Sequence, residues 1–90
     1  MTATRHRLEF SPAAARQLRK LDRADAGRIR SATEQLRNQP RPPGATALQG
    51  RRGYLRIRVG DYRVIYTVDD DRLVVLIVTL GHRREVYHSW

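Results

Sequence analysis

The stretch Tyr54-Leu55-Arg56-Ile57-Arg58-Val59-Gly60-Asp61-Tyr62-Arg63-Val64-Ile65-Tyr66 decides the fold. Leu55, Ile57 and Val59 alternate with Arg56 and Arg58, the period of two that a half-buried strand requires. Gly60-Asp61 then reverses the chain in a tight hairpin turn, and a second strand runs from Tyr62 to Val68. Asp69-Asp70-Asp71 makes the next turn. Leu73 to Leu80, interrupted by Thr79, is a third strand, apolar on both faces. Such a strand belongs inside a sheet, covered by helices on at least one side. Gly81 ends it, and a short polar tail follows from His82 to Trp90.

Upstream, Gln39 to Gly53 reads as a loop, with Pro40, Pro42, Pro43, Gly44 and Gly50. Before it lie two helices. Ser11-Pro12 supplies an N-cap and a proline at the first helical position, and Ala14, Leu18 and Leu21 form one apolar stripe. A second helix is expected from about Asp22 or Arg23 to Asn38, with Ala26, Ile29, Thr33 and Leu36 inward and Pro40 barring continuation. Arg5 to Phe10 is a short strand with Leu8 and Phe10 on one face. The order β-α-α-β-β-β predicts a single α+β domain over 1–90, a helical hairpin packed on one face of an antiparallel-rich sheet of about four strands.

Ninety residues suffice for one modest core, with roughly 60–65% of the unfolded surface buried. The absence of cysteine removes disulfides and thiolate metal sites and suits a reducing compartment. The first seven residues have no apolar core of a signal peptide, and Leu73 to Leu80 is too short to span a bilayer. A soluble, cytoplasmic protein without membrane contact is expected. Eighteen Lys and Arg residues face nine Asp and Glu, a net charge of +9, and Lys20 is the single lysine. A GC-rich genome accounts for part of that arginine excess, but the net charge still favours a polyanionic partner. Five arginines against Asp61 between Arg51 and Arg63 make the middle of the chain its most basic part.

Arg56 and Arg58 leave the same strand face, about 7 Å apart, opposite Leu55, Ile57 and Val59. Guanidinium forks match phosphate oxygens and stay charged at physiological pH. Taken alone, the pair also fits an ordinary solvated strand face. Arg63 lies just past the hairpin turn, and Arg83 and Arg84 just past the third strand, with Tyr87 soon after. Arginines at the ends of three successive strands can meet around one phosphate. His82, Glu85, Tyr87 and His88 are the nearby groups able to move protons. His82 reads equally as a cap or surface residue and as a proton carrier, while Glu85 reads as an ion-pair partner before a base. His6, far from this group in sequence, reads as a surface residue. Tyr54, Tyr62 and Tyr87 are able to stack on bases, and Tyr66 between Ile65 and Val68 reads first as core.

No carboxylate arrangement suits a two-metal nuclease, and neither a zinc pattern nor a glycine-rich phosphate loop is present. These residues suit RNA cleavage without a cofactor or metal, in which the RNA 2′-OH attacks the adjacent phosphate and guanidiniums stabilise the developing charge.

The segment Tyr54 to Tyr66, with Gly81-His82-Arg83-Arg84-Glu85-Val86-Tyr87, resembles the RelE/ParE superfamily of bacterial toxins, and the RelE-type messenger-RNA interferases in particular. The likeness runs the whole chain, including Ala47-Leu48-Gln49-Gly50 before the strands. It implies the microbial-RNase/RelE-like fold and the toxin of a type II toxin–antitoxin system, held inactive by a RelB-like antitoxin. When free, RelE-type toxins enter the ribosomal A site and cut messenger RNA. The resemblance makes Arg56 and Arg58 the basic pair of the site and Arg63 the contact to the scissile phosphate. Arg83 would assist the leaving group and Tyr87 stack on or orient the nucleotide. Apart from the resemblance, the charge of Arg51, Arg52 and Arg84 makes them candidate RNA-binding residues. The best-known members carry lysines at the first pair. Arginine is a poor base, so the base stays open and His82 gains standing. The alternative is a ParE-like inhibitor of DNA gyrase with no nuclease activity. Binding of operator DNA through the antitoxin complex is compatible with either.

Overall fold

A computed structural model of the chain describes residues 5–82. The elements are β1 (Arg7–Phe10), α1 (Pro12–Arg19), α2 (Arg23–Gln35), β2 (Thr46–Ala47), β3 (Tyr54–Val59), β4 (Tyr62–Asp69) and β5 (Val74–His82). The helices start where capping chemistry places them. The Ser11 hydroxyl accepts from the Ala14 amide at 3.0 Å and donates to the Val78 carbonyl at 2.6 Å, so one side chain both caps α1 and ties it to β5. Asp22 caps α2 by accepting from the Asp25 amide at 2.8 Å. Regular α2 ends at Gln35, three residues before the expected Asn38. The chain winds on through tighter turns, in which the amides of Leu36, Arg37 and Asn38 reach back three residues to Thr33, Glu34 and Gln35.

The sheet has the order β1-β5-β4-β3-β2, with β1 parallel to β5 and the remaining pairs antiparallel. The expected four strands are thus five. The extra one, β2, lies inside the segment read as a loop and pairs Thr46 with Arg56 and Ala47 with Leu55. Two residues are too few to show a period, so only the partner strand defines it. Leu73 adopts φ 58° and ends the turn, so β5 starts one residue later than expected.

Both helices lie on one face. Ala14, Leu18, Ala26, Ile29 and Leu36 meet Ile57, Val64, Tyr66, Val75, Ile77 and Leu80 in the core. Tyr66 is fully buried, its hydroxyl donating to the Pro40 carbonyl at 2.7 Å, and burial pushes its pKa up to about 12 despite the opposing charge of Arg41. His6, read as a surface residue, is buried: its backbone pairs with Arg37, and Nε2 lies 3.1 Å from the Asp70 carboxylate. Asp70 also accepts from Arg41 at 3.0 Å, so the acidic turn clasps β1 and the long loop together.

β5 carries one irregularity with large consequences. Ile65 pairs with Thr79 and Tyr66 with Ile77, so Val78 is an extra residue, a β-bulge. The Gln17 side chain of α1 binds β5 just past the break: its Oε1 accepts the Leu80 amide at 2.8 Å, and its Nε2 donates to the Thr79 hydroxyl at 3.0 Å. Beyond the bulge the side-chain alternation is reversed. Leu80 joins Val64 in the core, and Gly81, expected to end the strand, instead pairs with Arg63 while His82 pairs with Tyr62.

Candidate nucleic-acid interface

β3 places Leu55, Ile57 and Val59 against the helices, so Tyr54, Arg56 and Arg58 occupy the opposite face, which also carries the buried Ile65. In the β3–β4 ladder Arg58 stands directly opposite Arg63 and Arg56 opposite Ile65. Directly opposed residues share a face, with Cα atoms about 4.5–5.5 Å apart. Three guanidinium side chains from two strands therefore rise from one patch. Arg58 is exposed, with Nε donating to the Gly60 carbonyl at 3.3 Å, whereas Arg56 and Arg63 are half-buried and the Nε and Nη1 atoms of Arg63 are buried. The turn between the strands is held by Gly60 at φ 59°, a conformation glycine adopts without cost.

Several carboxylates are committed elsewhere. Glu9 pairs with Arg7, Asp25 with Arg28, Glu34 with Arg5 and Arg37, Asp69 with Arg72, and Asp70 with Arg41. Exposed pairs of this kind add little stability. The Arg41 and His6 hydrogen bonds hold the Asp70 carboxyl below the usual carboxylate range.

The other candidates separate from this patch. Arg51 and Arg52 are exposed in the turn at the far end of β3 from Arg58. Arg83, Arg84, Glu85, Tyr87 and His88 lie outside the described residues. His82 does not join the arginines. The bulge carries it to the helix side, where its ring meets the Tyr62 ring edge-on, centroids 5.9 Å apart at 76°. Tyr62, a candidate for base stacking, also faces the helices, and its hydroxyl donates to Asp25 of α2 at 3.1 Å. Together with Arg28, Val59 and Asp61 these residues line a cleft of about 330 Å³. Of the described tyrosines, Tyr54 alone shares the arginine face. Among the described residues no group of three His, Asp or Glu side chains is placed to hold a metal ion.

The family model described as the ParE toxin of type II toxin–antitoxin system, parDE, matches residues 8–87. The chain belongs to the RelE/ParE superfamily of toxins. Toxin RelG of Mycobacterium tuberculosis is 31% identical over 81 residues, covering 89% of this chain and 93% of its own. Among solved structures, a RelBE toxin–antitoxin complex from Mycobacterium tuberculosis superposes with a TM-score of 0.79 at 25% identity, covering 93% of this chain and 98% of its own. The archaeal RelE–RelB complex from Pyrococcus horikoshii gives 0.77 at 28%, over 89% and 97%. The isolated RelE toxin of Escherichia coli gives 0.76 at 26%, over 93% of each chain. This RelE/ParE toxin thus shares its two-helix, mixed-sheet architecture with RelE structures.

Sequence reasoning missed the Asp25–Tyr62–His82 cluster and the Gln17 bridge. Asp25 carries only the signal of a first-turn acid on a helix, and Gln17 carries none.

Proposed function

We propose that this toxin is a metal-independent endoribonuclease that cuts messenger RNA, in the ribosomal A site, by attack of the RNA 2′-OH on the adjacent phosphate. The reading rests on one observation: Arg58 and Arg63 are cross-strand neighbours with Arg56 on the same face. Three fixed cations on a rigid sheet can engage one phosphate and its neighbour, and they can stabilise a dianionic phosphorane without reorganising. Arg63, directly opposite Arg58 in the ladder, suits the scissile phosphate, and the more exposed Arg58 suits a flanking one. Arg56 completes the patch. From the family resemblance, Arg83 assists the departing oxygen and Tyr87 places the nucleotide; Arg51, Arg52 and Arg84, by their charge, extend the contact along the RNA. None of the arginines is a serviceable base. The chemistry therefore depends chiefly on aligning the 2′-OH in line and on electrostatics, and His82 stands on the wrong face to take the proton.

The antitoxin is a RelB-like protein. Relatives from Mycobacterium tuberculosis and Pyrococcus horikoshii were solved in complex with theirs, and a chain of charge +9 favours an acidic wrapping partner. Contact with operator DNA would come through that complex. The target puts the toxin in the cytoplasm. No helix among the described residues is long and apolar enough to cross a membrane.

A second reading, inhibition of DNA gyrase without nuclease activity, draws on the matching family model, which is that of ParE. Induction of the toxin separates the two. Arrested translation with messenger cut in the A site, and resistance of messenger carrying a 2′-deoxy nucleotide at the cut position, support the nuclease. Intact RNA with failing supercoiling supports the gyrase reading instead.

A further inference from the structure

The tip of the β3–β4 hairpin carries the arginine patch on one side and is tied to α2 on the other. Tyr62 and Arg63 are consecutive in β4, so their side chains leave on opposite faces from backbones joined by a single peptide. The Tyr62 hydroxyl donates to the Asp25 carboxylate at 3.1 Å, and the Tyr62 ring is met edge-on by His82 at 5.9 Å, its partner across the β4–β5 ladder. Asp25 is itself steadied by an ion pair with Arg28, one turn along α2. β2 reaches only to Arg56, so it does not brace the outer edge of β3 at Ile57 to Val59, the residues leading into the turn.

From these contacts we infer that Tyr62 and Asp25 are positioning residues for Arg63: the phenol–carboxylate bond through the sheet to the helical layer fixes the direction in which Arg63 presents its guanidinium to phosphate. The inference rests on the ribonuclease reading for its effect on catalysis, but not for its effect on Arg63. Tyr62 touches no substrate, since it stands on the helix side. Releasing it lets the tip of the hairpin twist, and a displacement of about 1 Å at a group that must meet a transition state costs up to 100-fold in rate.

The test compares wild type with Tyr62→Phe, Asp25→Ala, Asp25→Asn and Arg28→Ala. Cleavage of ribosome-bound messenger under single-turnover conditions should fall roughly 10- to 100-fold in Tyr62→Phe and Asp25→Ala. Affinity for a 2′-deoxy messenger analogue should stay within about twofold, because the charges remain. Asp25→Asn retains an oxygen that accepts the hydroxyl and should recover most of the rate. Arg28→Ala removes the ion pair that steadies Asp25 but leaves the phenol–carboxylate bond, so its rate should lie between those of wild type and Asp25→Ala. A merely stabilising contact would lower the melting temperature but would not split rate from affinity. The second readout is ¹⁵N relaxation of the Arg63 Nε–H group, assigned through Arg63→Lys, which should become more mobile in Tyr62→Phe. A wild-type cleavage rate in Tyr62→Phe, or an Arg63 signal as ordered as in wild type, overturns the proposal. If wild type itself leaves RNA intact, the ribonuclease reading fails, and the Arg63 signal alone decides whether the tether positions it.

Discussion

Gln17→Met should be among the most damaging substitutions outside the apolar core, because Gln17 completes the β5 bulge. Methionine keeps the length and volume of glutamine, so the change isolates hydrogen bonding from packing. Two partners lose their bonds. The Leu80 amide, in a residue 2% exposed, loses its acceptor at 2.8 Å, and a buried amide left unsatisfied costs about 1–3 kcal/mol. The Thr79 hydroxyl, in a residue 6% exposed, loses its bond to the Gln17 side chain, worth about 1 kcal/mol. The sum is roughly 2–4 kcal/mol, and for a domain of this size it lowers the melting temperature by roughly 8–30 °C. Urea unfolding followed by circular dichroism measures it. The double variant with Thr79→Val should lose less than the sum of the two single changes, since both act on one network. A loss below about 0.5 kcal/mol, the range of ordinary surface changes, together with simple additivity, would refute the bridging role of Gln17. The reversed alternation beyond Thr79 would then need a different physical cause.

Three further outcomes are expected. Arg58→Ala should flatten the log–log salt dependence of single-stranded RNA binding by about 0.7, one phosphate contact, and an unchanged slope removes Arg58 from the interface. His82→Gln should lower cleavage less than about fivefold, far short of the 10²–10⁴-fold expected of a proton carrier; a larger loss would bring His82 into the chemistry. The raised Tyr66 pKa, near 12 in the fold, favours the neutral phenol, so its contribution to stability is complete below about pH 10 and is lost as the pH rises towards 12. Tyr66→Phe should flatten that alkaline limb in pH-dependent unfolding, and a limb of unchanged steepness would refute it.

Much of the fold was legible because its elements carry local signals. Ser11-Pro12 and Asp22 mark helix starts through capping chemistry within three residues, and Leu55, Ile57 and Val59 define a face by alternation alone. The same alternation, counted from the other side, puts Arg56 and Arg58 together. β2 and His6 were not legible. One is too short for a period, and the other is buried by Arg37 and Asp70, residues remote in sequence.

The sequence by itself determined that a basic hairpin presents arginines opposite an apolar face, since alternation and turn chemistry act between neighbouring residues. Only the tertiary structure decided which end groups share that face. An unbroken strand carrying Ile77 inward would have put His82 outward with the arginines. One extra residue at Val78, stabilised by a glutamine from a helix 62 residues away from Thr79, turns it inward to Tyr62 and Asp25. The side chain that satisfies a bulge comes from elsewhere in the fold, and no local pattern records it.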